Sequence, residues 1–213
     1  MNGSRQTAPV AGILLAAGAS SRMGEDKLFL RVGGETLLRR AAGEALGAGL
    51  DPLLAVVRAG GEREQCELSR LRARVVENPD AARGAQTSLR RGLAAVPEQC
   101  AAAVVLLADM PFVTARMIRS LVARWRAGTT ALVLSDYAGV QAPPTLFDRS
   151  LFRELSASEE EGAAREVVRR HAGDAAVVGF PAASLADVDA PDDYDRARRL
   201  WEAEAGKAGP ERP

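Results

Sequence analysis

The sequence is poor in the residue types on which several common kinds of active site depend. Its 213 residues include one histidine, His171, and two cysteines, Cys66 and Cys100. A single histidine argues against a histidine-rich metal site and weakens a Ser-His-Asp interpretation. The cysteines lack the spacing of a metal knuckle, and we expect them to stay reduced.

The sequence also has no excess of positive or negative charge and no long hydrophobic run. The 28 Lys and Arg residues balance 28 Asp and Glu residues, so no overall field attracts nucleic acid or an anionic membrane. The apolar run 10–19 is too short to span a bilayer, and residues 1–9 have no signal-peptide core. We expect a cytoplasmic protein with no nucleic-acid or membrane partner, in which local groups hold any polyanionic substrate.

Apolar runs alternate with amphipathic stretches along most of the chain. Continuous apolar runs predict strands covered on both faces, and apolar residues at helical spacing predict the helices between them. The predicted strands are 10–17, 52–58, 74–77, 102–107 and 131–135, and the predicted helices are 36–48, 61–71, 86–96 and 114–127. This order favours an α/β protein with a Rossmann-like, doubly wound, mostly parallel sheet and helices on both faces.

The alternation changes after residue 136, where Pro143 and Pro144 interrupt it. We predict a short strand at 145–147, helices at 149–155 and 162–172, a strand at 175–180 and a last helix at 191–204. No long linker divides the chain. We therefore expect a single domain over residues 9–204, with flexible tails at 1–8 and 205–213.

The segment after the first strand, 15–27, reads LAAGASSRMGEDK. Its small residues leave backbone N–H groups open to phosphates, and ligands of open α/β sheets bind at the carboxyl ends of strands. Arg22 and Lys27 can neutralise phosphate charge; the only other lysine is Lys207. The segment matches neither GxxxxGK[ST] nor GxGxxG, and an ordinary small-residue turn with two surface cations is the alternative.

Carboxylates follow two other predicted strands. Asp109 ends a buried run and suits Mg²⁺, which favours one or two carboxylates together with phosphate oxygens and water; capping of the next helix is the alternative. Asp187 and Asp189 lie on the same side of the last strand end, so that one of them can reach the metal. Asp192 and Asp193 suit the positive end of the last helix dipole.

A fourth segment, 77–88, is typical of a strand–loop–helix turn. Asn78 and Ser88 could hydrogen-bond a base or ribose. Capping and turn formation explain both residues nearly as well.

Together these segments resemble a known family. Residues 15–27 resemble the LAAGxSxRMGxxK signature of the molybdopterin-type nucleotidyltransferases, and residues 107–111, LADMP, are similar to their metal-binding segment. Asn78, Gly84, Ser88, segment 144–147 and segment 187–193 match further landmarks in order, over about residues 11–200. The resemblance implies the fold of the nucleotide-diphospho-sugar transferases and Mg²⁺ as the cofactor.

The resemblance also implies a set of site residues. Arg22, Lys27 and Asp109 are the implied catalytic residues, and Asp109 and Asp189 the implied metal ligands. The implied nucleotide-binding residues are Leu15, Ala16, Ala17, Gly18, Ser20, Ser21, Arg22, Lys27, Asn78, Gly84 and Ser88.

Within the family, residues 16–18, AAG, are similar to those of the molybdenum cofactor cytidylyltransferases, because the guanylyltransferase branch usually has a second glycine there. This implies CTP and a molybdopterin-type cofactor as substrates, and a molybdoenzyme or its maturation factor as the partner that receives the product. Two departures leave the acceptor open. Residues 159–165 read EEEGAAR where the family often has GDxGAR, and Pro143-Pro144 stands where cytidylyltransferases often have Gly-His-Pro.

Three alternatives follow from the open acceptor: a guanylyltransferase, a sugar- or alcohol-phosphate nucleotidyltransferase of the same family, and a non-catalytic carrier of molybdenum cofactor.

Overall fold

The computed structural model describes residues 3–18 and 26–207. The strands in these ranges are β1 (Val10–Leu15), β2 (Arg31–Val32), β3 (Glu35–Thr36), β4 (Leu53–Arg58), β5 (Ala73–Asn78), β6 (Ala102–Leu107), β7 (Leu132–Tyr137), β8 (Val140–Asp148) and β9 (Ala176–Phe180). The helices are α1 (Gly3–Thr7), α2 (Leu37–Gly47), α3 (Glu62–Leu68), α4 (Ala85–Ala95), α5 (Ala115–Ala127), α6 (Phe152–Leu155), α7 (Ala163–His171) and α8 (Pro191–Lys207). No helix in the described ranges is long and apolar enough to cross a membrane.

Seven strands form one sheet in the order β5-β4-β1-β6-β8-β7-β9. The pairs β4–β5, β1–β4, β1–β6 and β7–β9 are parallel, whereas β8 is antiparallel to both β6 and β7. The predicted mostly parallel α/β sheet is therefore confirmed, with one antiparallel strand that was not predicted.

The central strands are buried because helices cover both faces of the sheet. Successive residues of a strand point to opposite faces. Leu14 of β1 accordingly packs in one apolar cluster with residues of α2 and α5, such as Ala42 and Leu121. Ile13, the preceding residue, packs in a second cluster with Leu89 of α4. The continuous apolar runs in the sequence are explained by this double coverage.

The prediction that the two prolines interrupt the strand pattern is wrong. β8 runs through Pro143 and Pro144, at a place where its pairing with β7 shifts register, and its pairing with β6 begins only at Thr145. Proline lacks an N–H donor and is tolerated in a strand where no ladder bond is needed. The proline carbonyls are still satisfied, because Ser135 Oγ donates to Pro144 O at 2.5 Å and the Tyr137 hydroxyl donates to Pro143 O at 2.8 Å.

Part of the segment expected to be an amino-terminal tail is helical, and its flexibility stays a prediction. Residues 3–7 form α1, and the Arg5 guanidinium donates to the carbonyls of Gly128 and Thr130 and to Asp148 Oδ2, at 2.7 Å. At the other end α8 continues to Lys207, three residues beyond the expected helix end. The long-range contacts of Arg5 had no local pattern that could have predicted them.

A third apolar cluster lies beside the small β2–β3 hairpin. Val188 is fully buried there with Val32, Leu37, Phe112 and Ala197. The chain just before α8 is therefore anchored to the body of the domain. This anchor determines where the neighbouring residue Asp189 lies.

Gly92 of α4 allows that helix to approach the sheet closely. A Cβ at this position would lie 2.4 Å from Ile13 Cγ2, whereas a Cβ at the exposed Gly43 of α2 would meet nothing within 4 Å. We expect Gly92→Ala to lower the free energy of unfolding by about 1–3 kcal/mol through overpacking. Gly43→Ala, the matched control, should raise it by about 0.5–1 kcal/mol because alanine is the better helix former.

Urea unfolding of the two variants and the parent measures both effects. Equal changes in the free energy of unfolding for Gly92→Ala and Gly43→Ala would contradict the close packing of α4 on Ile13.

Candidate functional site

The centre of the candidate site is one ammonium group shared by two carboxylates. Lys27 Nζ donates to Asp109 Oδ2 and to Asp189 Oδ1, each at 2.6 Å. The side chains of Lys27 and Asp109 are mostly buried, at 12% and 19% exposure, and that of Asp189 is half exposed, at 50%. The structure thus brings together three predicted site residues from three separate segments of the chain.

Adjacent strand ends and one backbone hydrogen bond position the two carboxylates. Leu15 and Leu107, the last residues of β1 and β6, are paired, so Asp109 lies beside the start of the loop after β1. The carbonyl of Asp109 accepts a 3.0 Å hydrogen bond from Val188 N. Because Val188 is anchored in the third apolar cluster, this bond holds Asp189 next to Asp109.

Asp193 fixes the backbone around Asp189. Its Oδ2 accepts hydrogen bonds from the backbone N–H groups of Asp189, at 3.2 Å, and Ala190, at 2.8 Å. Asp193 is the third residue of α8, so this is the backward half of a capping box. The expectation that an acid here serves the start of the last helix agrees with these bonds.

Lys27 is positioned from the neighbouring strand β4. It begins a single 3₁₀ turn, and Asp26 caps that turn by accepting from Leu28 N at 3.3 Å. Arg58, the last residue of β4, donates from Nη2 to Asp26 Oδ2 at 2.9 Å. Sequence reasoning missed both Asp26 and Arg58. The available clue was an arginine ending an otherwise fully buried strand at the predicted ligand-binding edge.

The electrostatics of the cluster favour cations. Burial lowers the pKa of Lys27, but the charges and hydrogen bonds of Asp109 and Asp189 outweigh burial, and the net shift is upward. Burial also raises the pKa of Asp187, against an opposing backbone hydrogen bond, and the negative charges of Asp189 and Asp109 raise that pKa further. Lys27 is therefore a firmly charged ammonium in a strongly acidic environment.

The acidic residues also suit a divalent metal. Asp109 Oδ1 is buried and accepts no hydrogen bond from any described residue, so a buried lone pair is left for a ligand. Carboxylate oxygens are the donors that hard divalent cations prefer. Within residues 3–18 and 26–207 no group of three or more His, Cys, Asp or Glu side chains is placed to hold a metal. The residues present fit a metal that completes its coordination with phosphate oxygens and water.

The predicted nucleotide-binding residues Asn78, Gly84 and Ser88 lie at the end of β5, just before α4 and within α4. The Asn78 amide is buried and donates to Thr87 Oγ1 at 2.9 Å and Ser88 Oγ at 3.0 Å, while its oxygen accepts from Asp80 N. These bonds correspond to the turn-forming alternative. They lie beyond β4 from the Lys27 cluster, and a nucleotide contact by Asn78 or Ser88 stays a prediction.

The acidic segment that departs from the family pattern contacts this same turn. Glu161 Oε2 lies 2.1 Å from where a Cβ on Gly84 would be, and 3.5 Å from Gln86 N. Glu159 forms ion pairs with Arg83, at 2.6 Å, and with Arg90. Gly84 has a positive φ of 110°, and the absence of a side chain there admits the Glu161 carboxylate. No sequence pattern indicated this contact.

The remaining predicted residues belong to segment 15–22. Leu15 is partly buried and ends β1, Ala16 and Ala17 are buried, and Gly18 is exposed. The backbone N–H of Ala16 donates to Val56 O at 2.9 Å, which continues the alignment of β1 with β4. Ser20, Ser21 and Arg22 lie outside the described residues, so their predicted roles stay predictions.

Comparison with known proteins places this geometry in a family context. The model of the MobA-like NTP transferase domain matches residues 12–176. Purine catabolism protein PucB of Bacillus subtilis is 30% identical over 202 residues, which covers 88% of this chain and 95% of the relative. The molybdenum cofactor cytidylyltransferase of Escherichia coli is 26% identical over 191 residues, covering 89% and 95% respectively.

Among solved structures, Rv0371c of Mycobacterium tuberculosis H37Rv superposes with a TM-score of 0.80 at 26% identity, over 90% of this chain and 98% of that one. A complex of the same protein with manganese has a TM-score of 0.74 at 25% identity, with the same coverage.

The capping role of Asp193 can be separated from its charge. We expect Asp193→Ala to lower the free energy of unfolding by about 1 kcal/mol, because two backbone N–H groups lose their acceptor. Asp192→Ala is the matched control, since Asp192 is an acid of the same helix turn for which no side-chain hydrogen bond is found among the described residues. Asp192→Ala should lower the free energy of unfolding by only about a few tenths of a kcal/mol, because it removes a favourable interaction with the helix dipole. Urea unfolding measures both, and equal losses would contradict the capping assignment.

Proposed function

This chain belongs to the MobA-like NTP transferase family and is a nucleotidyltransferase, and on that premise we propose that it transfers CMP from CTP to a molybdopterin-type cofactor. The products are the cytosine dinucleotide of the cofactor and pyrophosphate. The product then passes to a molybdoenzyme or its maturation factor.

One observation carries the proposed chemistry: the Lys27 ammonium lies 2.6 Å from both Asp109 and Asp189 at the carboxyl ends of β1 and β6. This is the edge at which open α/β sheets bind ligands. A cation and two carboxylates beside a loop of small residues suit the binding of a triphosphate together with a divalent ion.

The proposed reaction is in-line attack by the terminal phosphate of the acceptor on the α-phosphorus of CTP. A phosphate is already a nucleophile at neutral pH, so the enzyme needs no general base, and catalysis rests on positioning and charge neutralisation. Asp109 and Asp189 would hold Mg²⁺, and Lys27 would neutralise charge that develops on the transferred phosphate and the departing pyrophosphate. When bound, Mg²⁺ supplies Lewis-acid stabilisation of the phosphate charge.

The loop after β1 completes the proposed phosphate site. Backbone N–H groups of residues 17–21 would hold the triphosphate, and Arg22 would add a forked donor to the phosphates. The Arg58–Asp26 ion pair supports Lys27, since it holds the cap of the turn that Lys27 begins.

CTP and the pterin acceptor are supported by two facts. Residues 16–18 read AAG, as in the cytidylyltransferase branch that the sequence resembles. The full-length relative from Escherichia coli is itself named a molybdenum cofactor cytidylyltransferase.

A second candidate keeps the same nucleotidyl chemistry with another phosphorylated acceptor. It is favoured by the acidic segment, in which Glu159 already pairs with Arg83 and Arg90, and Glu161 lies against Gly84. An acceptor with several negative charges has to displace these carboxylates or avoid them.

Pyrophosphate release in the presence of Mg²⁺ tests the proposal. CTP, GTP, ATP and UTP are offered separately, with and without molybdenum cofactor. We expect release with CTP that depends on the cofactor. Cofactor-dependent release with GTP would instead indicate a guanylyltransferase. If no triphosphate gives release with cofactor, the acceptor assignment fails, and a set of sugar and alcohol phosphates should be tested next.

Asp109→Asn is expected to reduce kcat by a factor on the order of 10²–10³ while the fold is retained, because a preorganised charge that faces the reacting phosphates is lost. Asp192→Asn serves as the control for the same change of charge on the neighbouring helix. Single-turnover pyrophosphate release measures the rate. Comparable turnover of Asp109→Asn and the parent would remove Asp109 from the proposed machinery.

A further inference from the structure

The Lys27 ammonium uses one oxygen of each carboxylate that the proposed function assigns to the metal. Asp109 Oδ2 and Asp189 Oδ1 both accept from Nζ at 2.6 Å. An ammonium is a compact point charge, so it serves here as the counter-ion of two acids that are otherwise close to one another. The same two acids cannot neutralise a divalent cation fully while they also hold Nζ.

The backbone is held at all three residues, and the ammonium lies at the end of a longer side chain than either carboxylate. The backbone of Asp109 is bonded to Val188, and the backbone at Asp189 is bonded to Asp193. Lys27 is held at its backbone by the turn that Asp26 caps, but its charge lies at the end of a flexible four-carbon stem. Movement of the stem can therefore free both acids without a change in the fold.

Charge repulsion makes simultaneous occupancy unfavourable. A divalent ion coordinated by Asp109 and Asp189 would lie within a few ångströms of the present Nζ position, and like charges at that distance repel strongly in a partly buried site. The buried Asp109 Oδ1, which accepts from no described residue, shows that the acids still offer a lone pair beyond those that Lys27 uses.

We infer that Lys27 holds the place of the divalent cation in the nucleotide-free enzyme and exchanges with it, releasing Asp109 and Asp189 to the metal and turning its ammonium toward the triphosphate. This inference rests on the proposed function, because it takes Asp109 and Asp189 as the metal ligands. Its consequence is that metal binds weakly until a triphosphate gives the Lys27 ammonium another anionic partner.

The exchange also gives a reason for a lysine in a chain whose cations are otherwise almost all arginine. The planar fork of an arginine can bind both carboxylates with several donors at once. Such an interaction is harder to release than contacts of a single ammonium nitrogen.

The test is Mn²⁺ binding to the complete protein without nucleotide, measured from the electron paramagnetic resonance signal of free Mn²⁺. We expect Lys27→Met to bind Mn²⁺ about tenfold more tightly than the parent, because the competing charge is gone while a side chain of similar length remains. Lys27→Arg should bind no more tightly than the parent. Lys207→Met is the matched control, and it should bind Mn²⁺ as the parent does.

Thermal unfolding provides a second readout that also reports whether the variant folds. Without metal, Lys27→Met should have a lower Tm than the parent, because the two carboxylates lose their counter-ion. Mn²⁺ should raise the Tm of Lys27→Met more than that of the parent, since at equal concentration a ligand that binds only the folded state stabilises it more when it binds more tightly.

The outcomes separate the inference from the proposed function. If Lys27→Met binds Mn²⁺ no more tightly than the parent while Asp109→Asn abolishes binding, the exchange is overturned and the metal assignment stands. If neither Asp109→Asn nor Lys27→Met changes Mn²⁺ binding, the exchange is overturned and the proposed metal site fails with it.

Discussion

The contact of one ammonium with two carboxylates joins three segments that are far apart in the chain: Lys27 is 82 residues from Asp109 and 162 residues from Asp189. Each segment is brought to this point by a different part of the fold. Lys27 begins a 3₁₀ turn, Asp109 follows β6, and Asp189 lies two residues before α8. Two carboxylates that both lie 2.6 Å from one nitrogen repel one another, so the cation between them stabilises the arrangement.

Contacts outside the cluster hold Lys27, Asp109 and Asp189 in position. Val188 lies in an apolar cluster with Val32, Leu37, Phe112 and Ala197, and its backbone bond to Asp109 transmits that anchor to the site. Arg58 does the same from β4, because its ion pair with Asp26 holds the turn from which Lys27 projects. The site residues are thus supported by neighbours that need not touch a substrate themselves.

The turn after β5 and the acidic segment 159–165 are held together by hydrogen bonds and ion pairs among their own residues. The turn after β5 is closed by the hydrogen bonds of Asn78, and the Glu161 carboxylate lies against Gly84. The chemistry near Lys27 is therefore better defined by the structure than the surroundings of an acceptor. Nucleotidyl transfer is the activity of the family, whereas a contact between this acidic segment and an acceptor belongs to the proposal.

Much of the fold was predictable from the sequence because hydrophobic periodicity is a local property. The runs at β1, β4 and β6 indicated strands covered on both faces, and Asp109 was singled out because it follows such a run at the edge where ligands bind. Asp189 was predicted at the end of a strand, but in the structure it lies in the segment between β9 and α8, nine residues after β9 ends. The path of β8 through Pro143 and Pro144 was not predictable, since it depends on Ser135 and Tyr137 of the paired strand.

The sequence by itself thus determined the α/β class and the order of the main strands and helices, and it indicated Lys27, Asp109 and Asp189 as candidate site residues, because these follow from patterns within a few neighbouring residues. Only the tertiary structure decided that Lys27 holds both acids, that Arg58 supports Lys27 and that Glu161 lies against Gly84. Such contacts depend on the distances and directions of side chains from separate elements, and no local pattern in a single sequence encodes those distances.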